Sequence, residues 1–307
     1  MKNELVRIEQ SETRLQIHEQ TKELIKASIA PNTEKAYKDA LARLHDFLNG
    51  NALNDGNLAT YITYLHGEGK SPSTISQVVA AVKWTHKQQR MTTDLPITNA
   101  TLSGIRRDGK ARGRGQVDGL IWKDVERVCI ACELDNTKAG YRDSALIRLM
   151  SDCLLRVSEV VSVNCGHIRG KTLHIPSSKT DTEGKGVSLY ITDDTREIIG
   201  AYREMADIRR GSMFRHIRRG DHVQPSRLHS HSARRIIQKR AKAVGIENFI
   251  SGHSLRVGTA VSLAQAGASV VDMQVAGRWK SSQMPAHYAK AELAERGAIA
   301  RYKDQKK

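Results

Sequence analysis

Four short segments hold residues able to bind or attack an anion. In CLLRVSEVVSV, residues 153–163, Arg156 and Glu159 stand three apart among apolar neighbours. On a helix both would leave nearly the same face. In SGHSLRVGTAVSLAQAG, residues 251–267, His253 and Arg256 stand three apart where a helix should begin, with Ala260, Leu263 and Ala264 on its buried side. A helix start offers unpaired N–H groups and a positive dipole end, which together make an anion site. In VAGRWKSSQMPAHYAK, residues 275–290, Trp279 follows a Gly-Arg turn and Tyr288 comes nine residues later. Lys179 lies in the polar stretch SSKTDTEGKG. Taken singly, each has an ordinary reading: an intrahelical ion pair, a capping His beside a surface Arg, a core Trp, an exposed Tyr, a solvated Lys.

The elements that must carry them are mostly helical. Residues 12–90 read as a bundle. Ala36, Tyr37, Ala40, Leu41, Leu44, Phe47 and Leu48 recur at three- and four-residue spacing, with Asn32 or Thr33 as cap and Gly50 as stop. Leu58, Tyr61, Ile62 and Leu65 mark a second helix. Ile75, Val78, Val79, Val82 and His86 mark a third. Residues 103–119, SGIRRDGKARGRGQVDG, are rich in Gly and Arg and read as an exposed basic linker. Helical pattern resumes at Ile121 and runs through Arg156 to Val163. The only convincing strands lie between Lys171 and Ile191, where Leu173 and Ile175, then Val187, Leu189 and Ile191, alternate around the Lys179 turn. The expected architecture is mainly α, with an α+β C-terminal domain that is mostly helical and carries a small antiparallel hairpin. Its expected boundaries are a helical domain at 12–104, a linker at 105–119 and a second domain at 120–307.

Bulk composition narrows the partners. With 49 Lys+Arg against 33 Asp+Glu the chain carries +16, which fits DNA, RNA or an anionic membrane surface. MKNELVRIEQ is not a secretory signal, and no stretch approaches the roughly 20 apolar residues of a membrane span. Four cysteines are too few and too irregular for a disulfide scaffold, and Cys129-x-x-Cys132 has no second ligand pair, so a reduced structural pair and a reducing cytoplasm are expected. Between Met205 and Val244 eleven Lys/Arg face two Asp, and Ile236, Ile237, Ala241 and Val244 keep helical spacing while Arg234, Arg235, Lys239, Arg240 and Lys242 crowd elsewhere. That one-sided excess favours a helix that tracks phosphates. There is no Walker-type phosphate loop and no evident carboxylate cluster for Mg²⁺. His229-x-His231 is the nearest metal-like pair, and it lacks further ligands, so no metal site is expected.

Read in chain order, the four segments say more. Arg-x-x-Glu, Lys on a hairpin, His-x-x-Arg, Trp and then Tyr is an order that resembles the tyrosine recombinase (phage integrase) family over residues 120–307. The bundle opening PNTEKAYKDALARLHDFL resembles that family's SAM-like core-binding domain. GHSLRVG followed by AGRW looks closer to the Cre-like branch than to the Xer group, which usually has His where Trp279 stands.

The resemblance implies a site-specific DNA recombinase, its two domains clamped around duplex DNA. Tyr288 would attack phosphorus to form a 3′-phosphotyrosine, and Arg156 and Arg256 would grip the phosphate oxygens. His253 would donate to the phosphate or assist proton transfer, Trp279 would offer its indole N–H, Lys179 would protonate the departing 5′-oxygen, and Glu159 would orient His253 or Arg156. Neither cofactor nor ATP is implied. Expected partners are double-stranded DNA with short inverted repeats and further copies of the chain: a tetramer in the synapse passing through a Holliday junction, largely monomeric when free, with no membrane. The terminal segment bearing Leu293, Ala294, Ala298 and Ile299 would dock on a neighbouring protomer. The expected location is the cytoplasm, at the nucleoid. Lys83, Lys87, Arg90, Arg106, Arg107, Arg227, Arg234, Arg235, Lys239 and Arg240 are the candidate DNA contacts. The rival readings are a type IB topoisomerase, which uses the same chemistry, and a non-catalytic DNA-binding protein on the same scaffold.

Overall fold

The computed structural model describes residues 19–20, 28–89, 91–109, 117–176, 186–295 and 303. The chain divides into two compact units, residues 1–115 and 116–307. No helix among the described residues is long and apolar enough to cross a membrane.

The first unit holds four described helices. α1 (Pro31–Leu48) begins on Pro31, with Ala30 rather than Asn32 or Thr33 as its cap. Proline's fixed φ and missing N–H suit a first helical position, which removes the need for a side-chain cap. α2 (Asp55–Gly67) and α3 (Pro72–Gln88) are capped by the side chains of Asn54 and Ser71. α4 (Pro96–Asp108) extends into the stretch read as linker, burying Leu102 and Ile105 against Leu44, Ile62, Ile75 and Val79. Arg106 and Arg107 therefore stand on its last turn. The Asp55 carboxylate accepts the Ile97 and Thr98 N–H groups, tying the starts of α2 and α4 together.

The second unit opens with α5 (Trp122–Leu134), α6 (Lys138–Asp152) and the short α7 (Val157–Ser162). A three-stranded antiparallel sheet follows, in the order β1 (Ile168–Arg169), β2 (Thr172–Ile175), β3 (Val187–Tyr190). Leu173 pairs with Leu189 and Ile175 with Val187, the alternation legible in the sequence. After α8 (Asp193–Met205) comes a second hairpin, β4 (Arg215–Arg218) with β5 (His222–Arg227). The sequence reading missed it because arginines and histidines surround its two inward apolar residues, Ile217 and Val223. α9 (Ser230–Ala243), α10 (Ser254–Gln265), α11 (Val270–Gly277), α12 (Gln283–Tyr288) and α13 (Lys290–Glu295) complete the described elements.

α6 and α10 form the centre of this unit. Ala145, Leu146, Ile147, Leu149 and Met150 are fully buried, and so are Leu255 and Ala260. All four cysteines are free and buried, and burial pushes the thiols of Cys129, Cys132 and Cys153 up to about 12. Gly258 lets α10 approach the chain at Leu120: a Cβ there would stand 1.9 Å from the Leu120 carbonyl oxygen. Gly258→Ala should therefore lower stability by about 1–3 kcal/mol or more through overpacking. Thermal unfolding would show it, and an unchanged midpoint would refute the close approach.

Candidate active site

The site forms where α6, α7, α10, α11 and α12 converge. α6 ends at Cys153, and Leu154 then turns the chain in the left-handed region at φ 44°. Arg156 follows in extended geometry as the cap of α7. The expectation that Arg156 and Glu159 both sit within one helix is thus corrected. Their spacing forms the glutamate half of a capping box: the Arg156 N–H donates to Glu159 Oε2 at 2.9 Å, and its guanidinium donates to Oε1 at 2.7 Å.

α10 brings the second arginine. His253 caps it, and Arg256 in its first turn is 1% exposed. The Arg256 guanidinium donates to the Leu154 carbonyl and, at 2.7 Å, to the Gly277 carbonyl. It also lies 4.9 Å from the Trp279 ring centroid, a cation–π contact that fixes its plane. Trp279 packs against Ala264, Met273 and Ala289. It also rests on Gly277, where a Cβ would stand 2.0 Å from the ring. Tyr288 ends α12 half-buried, its ring 5.8 Å from Trp279. His253 Nε2 lies 2.9 Å from the Tyr288 hydroxyl.

Electrostatics follow from this packing. Burial, then Arg256 and Arg156, hold His253 below the usual histidine range, so it is neutral at neutral pH. Its Nε2 then accepts from the Tyr288 O–H when the proton is on Nδ1. Burial raises the Tyr288 phenol above its ordinary value, and Arg256 and Arg156 pull against that rise. Burial alone would raise Glu159, but Arg278 and the bonds from Arg156 outweigh it and hold the carboxyl ionised, below its usual value.

Arg278 was not singled out from the sequence. It takes the left-handed conformation at φ 55° as the cap of α11, a geometry costing about 1–2 kcal/mol outside glycine. Its guanidinium donates to Glu159 Oε2 at 2.9 Å and to the Leu154 carbonyl at 3.3 Å. Two guanidiniums therefore pair with one carboxylate, and with Arg256 nearby the cluster has two positive charges in surplus. Arg256 Nε and Arg278 Nε and Nη1 are buried with no hydrogen-bond partner among the described residues.

Lys179 lies outside the described residues, on the segment joining β2 to β3. Arg90, Ala298 and Ile299 also fall outside them. In the first unit Lys83, Lys87, Arg106 and Arg107 are exposed, with Lys83 bonded to Asn99 and Arg106 to Ser76. On α9 Arg234, Arg235 and Lys239 are exposed, whereas Arg240 is held by Asp135 and by Asp143 at 2.7 Å. Arg227 donates to the Val161 carbonyl at 2.6 Å and to Asn164 Oδ1 at 2.7 Å. The guanidiniums of Arg227 and Arg240 thus brace the fold. The His231 N–H donates to His229 Nδ1 at the start of α9, and no group of three or more metal-ligating side chains occurs among the described residues.

Residues 121–295, more than half of the chain, match the phage integrase family. The chain belongs to the phage integrase family. As a member it is a tyrosine recombinase, an enzyme of site-specific DNA recombination. The chain is 28% identical over 290 residues to an integrase/recombinase XerD homolog of Selenomonas ruminantium, covering 87% of this chain and 84% of that one. It is 23% identical over 264 residues to recombinase Cre of Escherichia phage P1, covering 78% and 77%. Its fold is shared with XerH recombinase bound to a palindromic difH substrate (TM-score 0.67, 15% identity, 90% and 82% covered). It is shared too with a lambda integrase tetramer bound to a Holliday junction (TM-score 0.60, 16% identity, 87% and 74% covered).

Proposed function

We propose that this recombinase cleaves and rejoins DNA through a 3′-phosphotyrosine on Tyr288, in a tetramer that passes through a Holliday junction. The observation that carries the reading is the 2.9 Å contact of Tyr288 with His253, beside one buried and one half-buried arginine. As the phenol attacks phosphorus its proton passes to His253 Nε2, and the P–O5′ bond opposite breaks. Arg156 and Arg256 hold the nonbridging oxygens, whose charge grows in the transition state. Trp279 offers its single N–H to the same oxygens, and Glu159 orients Arg156. Lys179 gives its proton to the leaving 5′-oxygen. Attack by another strand's 5′-hydroxyl reverses these steps and joins new partners. Short inverted repeats are the expected substrate, with Arg234, Arg235 and Lys239 on α9 and Lys83, Lys87, Arg106 and Arg107 on the first unit as contacts. Arg227 and Arg240 belong to the same set, with guanidiniums that also bond within the protein.

The test uses nicked duplexes drawn from DNA flanking the protein's own gene, incubated with the protein in EDTA. SDS-resistant adducts should form, and peptide mapping should place the nucleotide on Tyr288. Binding with no adduct, or a nucleotide on another tyrosine, would overturn the assignment.

A pH profile follows from the geometry. At subsaturating DNA, single-turnover cleavage reports the groups of the free protein. Neutral His253 is the active form, so the rate should hold level from about pH 7 to 9 and fall only below the ordinary histidine value of about 6.5. An inflection above that value would contradict a neutral proton acceptor.

A further inference from the structure

We propose that Arg278 is a positioning residue that neutralises Glu159, so that the charge of Arg156 is left for the scissile phosphate. The inference rests on the phosphotyrosine reading above and goes beyond it in naming what sets the charge of the site.

Glu159 is almost fully buried, its side chain 6% exposed, and its two oxygens are both occupied. Oε1 takes the Arg156 guanidinium, and Oε2 takes the Arg156 N–H and the Arg278 guanidinium. Without Arg278 the buried carboxylate would have one guanidinium left in contact, and it would compensate that charge fully. Arg156 would then sit in a neutral pair, drawn toward the carboxylate and away from a ligand. With Arg278 in place, one positive charge balances Glu159, and Arg156 and Arg256 remain to face the phosphate. Two positive charges suit a phosphodiester that carries one negative charge at rest and a second as the nucleophile adds.

The backbone makes the same point independently. Arg278 occupies a left-handed helix cap, where glycine is unstrained and other residues are not. An arginine is held there because its side chain is used: 11% exposed, it turns inward to the Glu159 carboxylate and the Leu154 carbonyl. The same turn sends the next residue, Trp279, onto Arg256 and toward Tyr288. One residue thereby ties α11 to the Arg156 end of the site.

The test compares Arg278→Gly, which suits the backbone and removes only the side chain, with Arg278→Lys. Cleavage is measured on a normal scissile phosphodiester and on a methylphosphonate, where one charged oxygen is replaced by a methyl group. Arg278→Gly should cleave the normal substrate about 10–100-fold more slowly, the usual loss for a supporting residue, with DNA affinity within about threefold. On the neutral methylphosphonate the loss should shrink to a few-fold, and Arg278→Lys should recover part of the rate. Cleavage by Arg278→Gly at the wild-type rate would overturn the inference and leave the phosphotyrosine reading standing. Equal loss on both substrates would also overturn it, marking Arg278 as structural only. Should the glycine variant fail to fold, Arg278→Lys decides alone: it should lose rate on the phosphodiester and little on the methylphosphonate. A wild-type protein that forms no adduct would overturn the reading itself, and the inference with it.

Discussion

Tyr288→Phe should abolish covalent DNA adducts, with cleavage falling on the order of 10⁵-fold, as for other lost nucleophiles. The ring is retained, so its packing 5.8 Å from Trp279 should persist. Only the hydroxyl at 2.9 Å from His253 is lost. DNA affinity and the thermal midpoint should stay close to wild type, because a half-exposed hydrogen bond contributes about 1 kcal/mol. Gel shifts, melting and SDS-resistant adducts measured side by side would check this. Adducts that persist in the Phe variant would mean that another residue attacks.

Arg256 should give the second large effect, in two distinguishable forms. Arg256→Lys keeps a charge but loses the planar fork that bonds the Leu154 and Gly277 carbonyls and faces Trp279. Cleavage should fall about 10²–10³-fold, the usual loss for one aimed donor of the transition state. Arg256→Ala should lose that and stability too. The buried Gly277 carbonyl would lose its bond from Arg256, and the Leu154 carbonyl would keep only the 3.3 Å bond from Arg278, a loss of about 1–3 kcal/mol for each unpaired buried group. Single-turnover cleavage and thermal unfolding separate the two, and a lysine variant with wild-type rate would refute the role of the fork.

The candidate site residues could be picked out of the sequence because their order and spacing survive as text. Arg156 with Glu159, His253 with Arg256, and Trp279 with Tyr288 each lie within nine residues, and the folded chain brings these six together. Their local settings were less legible. The Arg156–Glu159 spacing is shared by a helix face and a capping box, and only the dihedrals tell them apart. α4 went unseen because its buried Leu102 and Ile105 run straight into Arg106-Arg107-Asp108-Gly109, which reads as linker. Basic residues were hardest to assign. The carboxylate partners of Arg240 arrive from 97 and 105 residues away, too far along the chain for its spacing to reveal them. Arg278 carried no textual mark at all, since a Gly-Arg turn looks like an ordinary helix stop and its positive φ is visible only in three dimensions.

The shared acceptor at Leu154 has a consequence for how the enzyme can be altered. Arg256 and Arg278 both hang on that one main-chain oxygen, and Arg256 on the Gly277 carbonyl besides. No side-chain replacement deletes a peptide oxygen, so these anchors depend on the path of the loop, which the tight fit of Gly277 under Trp279 helps to set. Varying the exposed Arg234, Arg235 and Lys239 on α9, the proposed DNA contacts, leaves those anchors intact. Libraries varied on that helix should therefore yield many members with undiminished strand cutting.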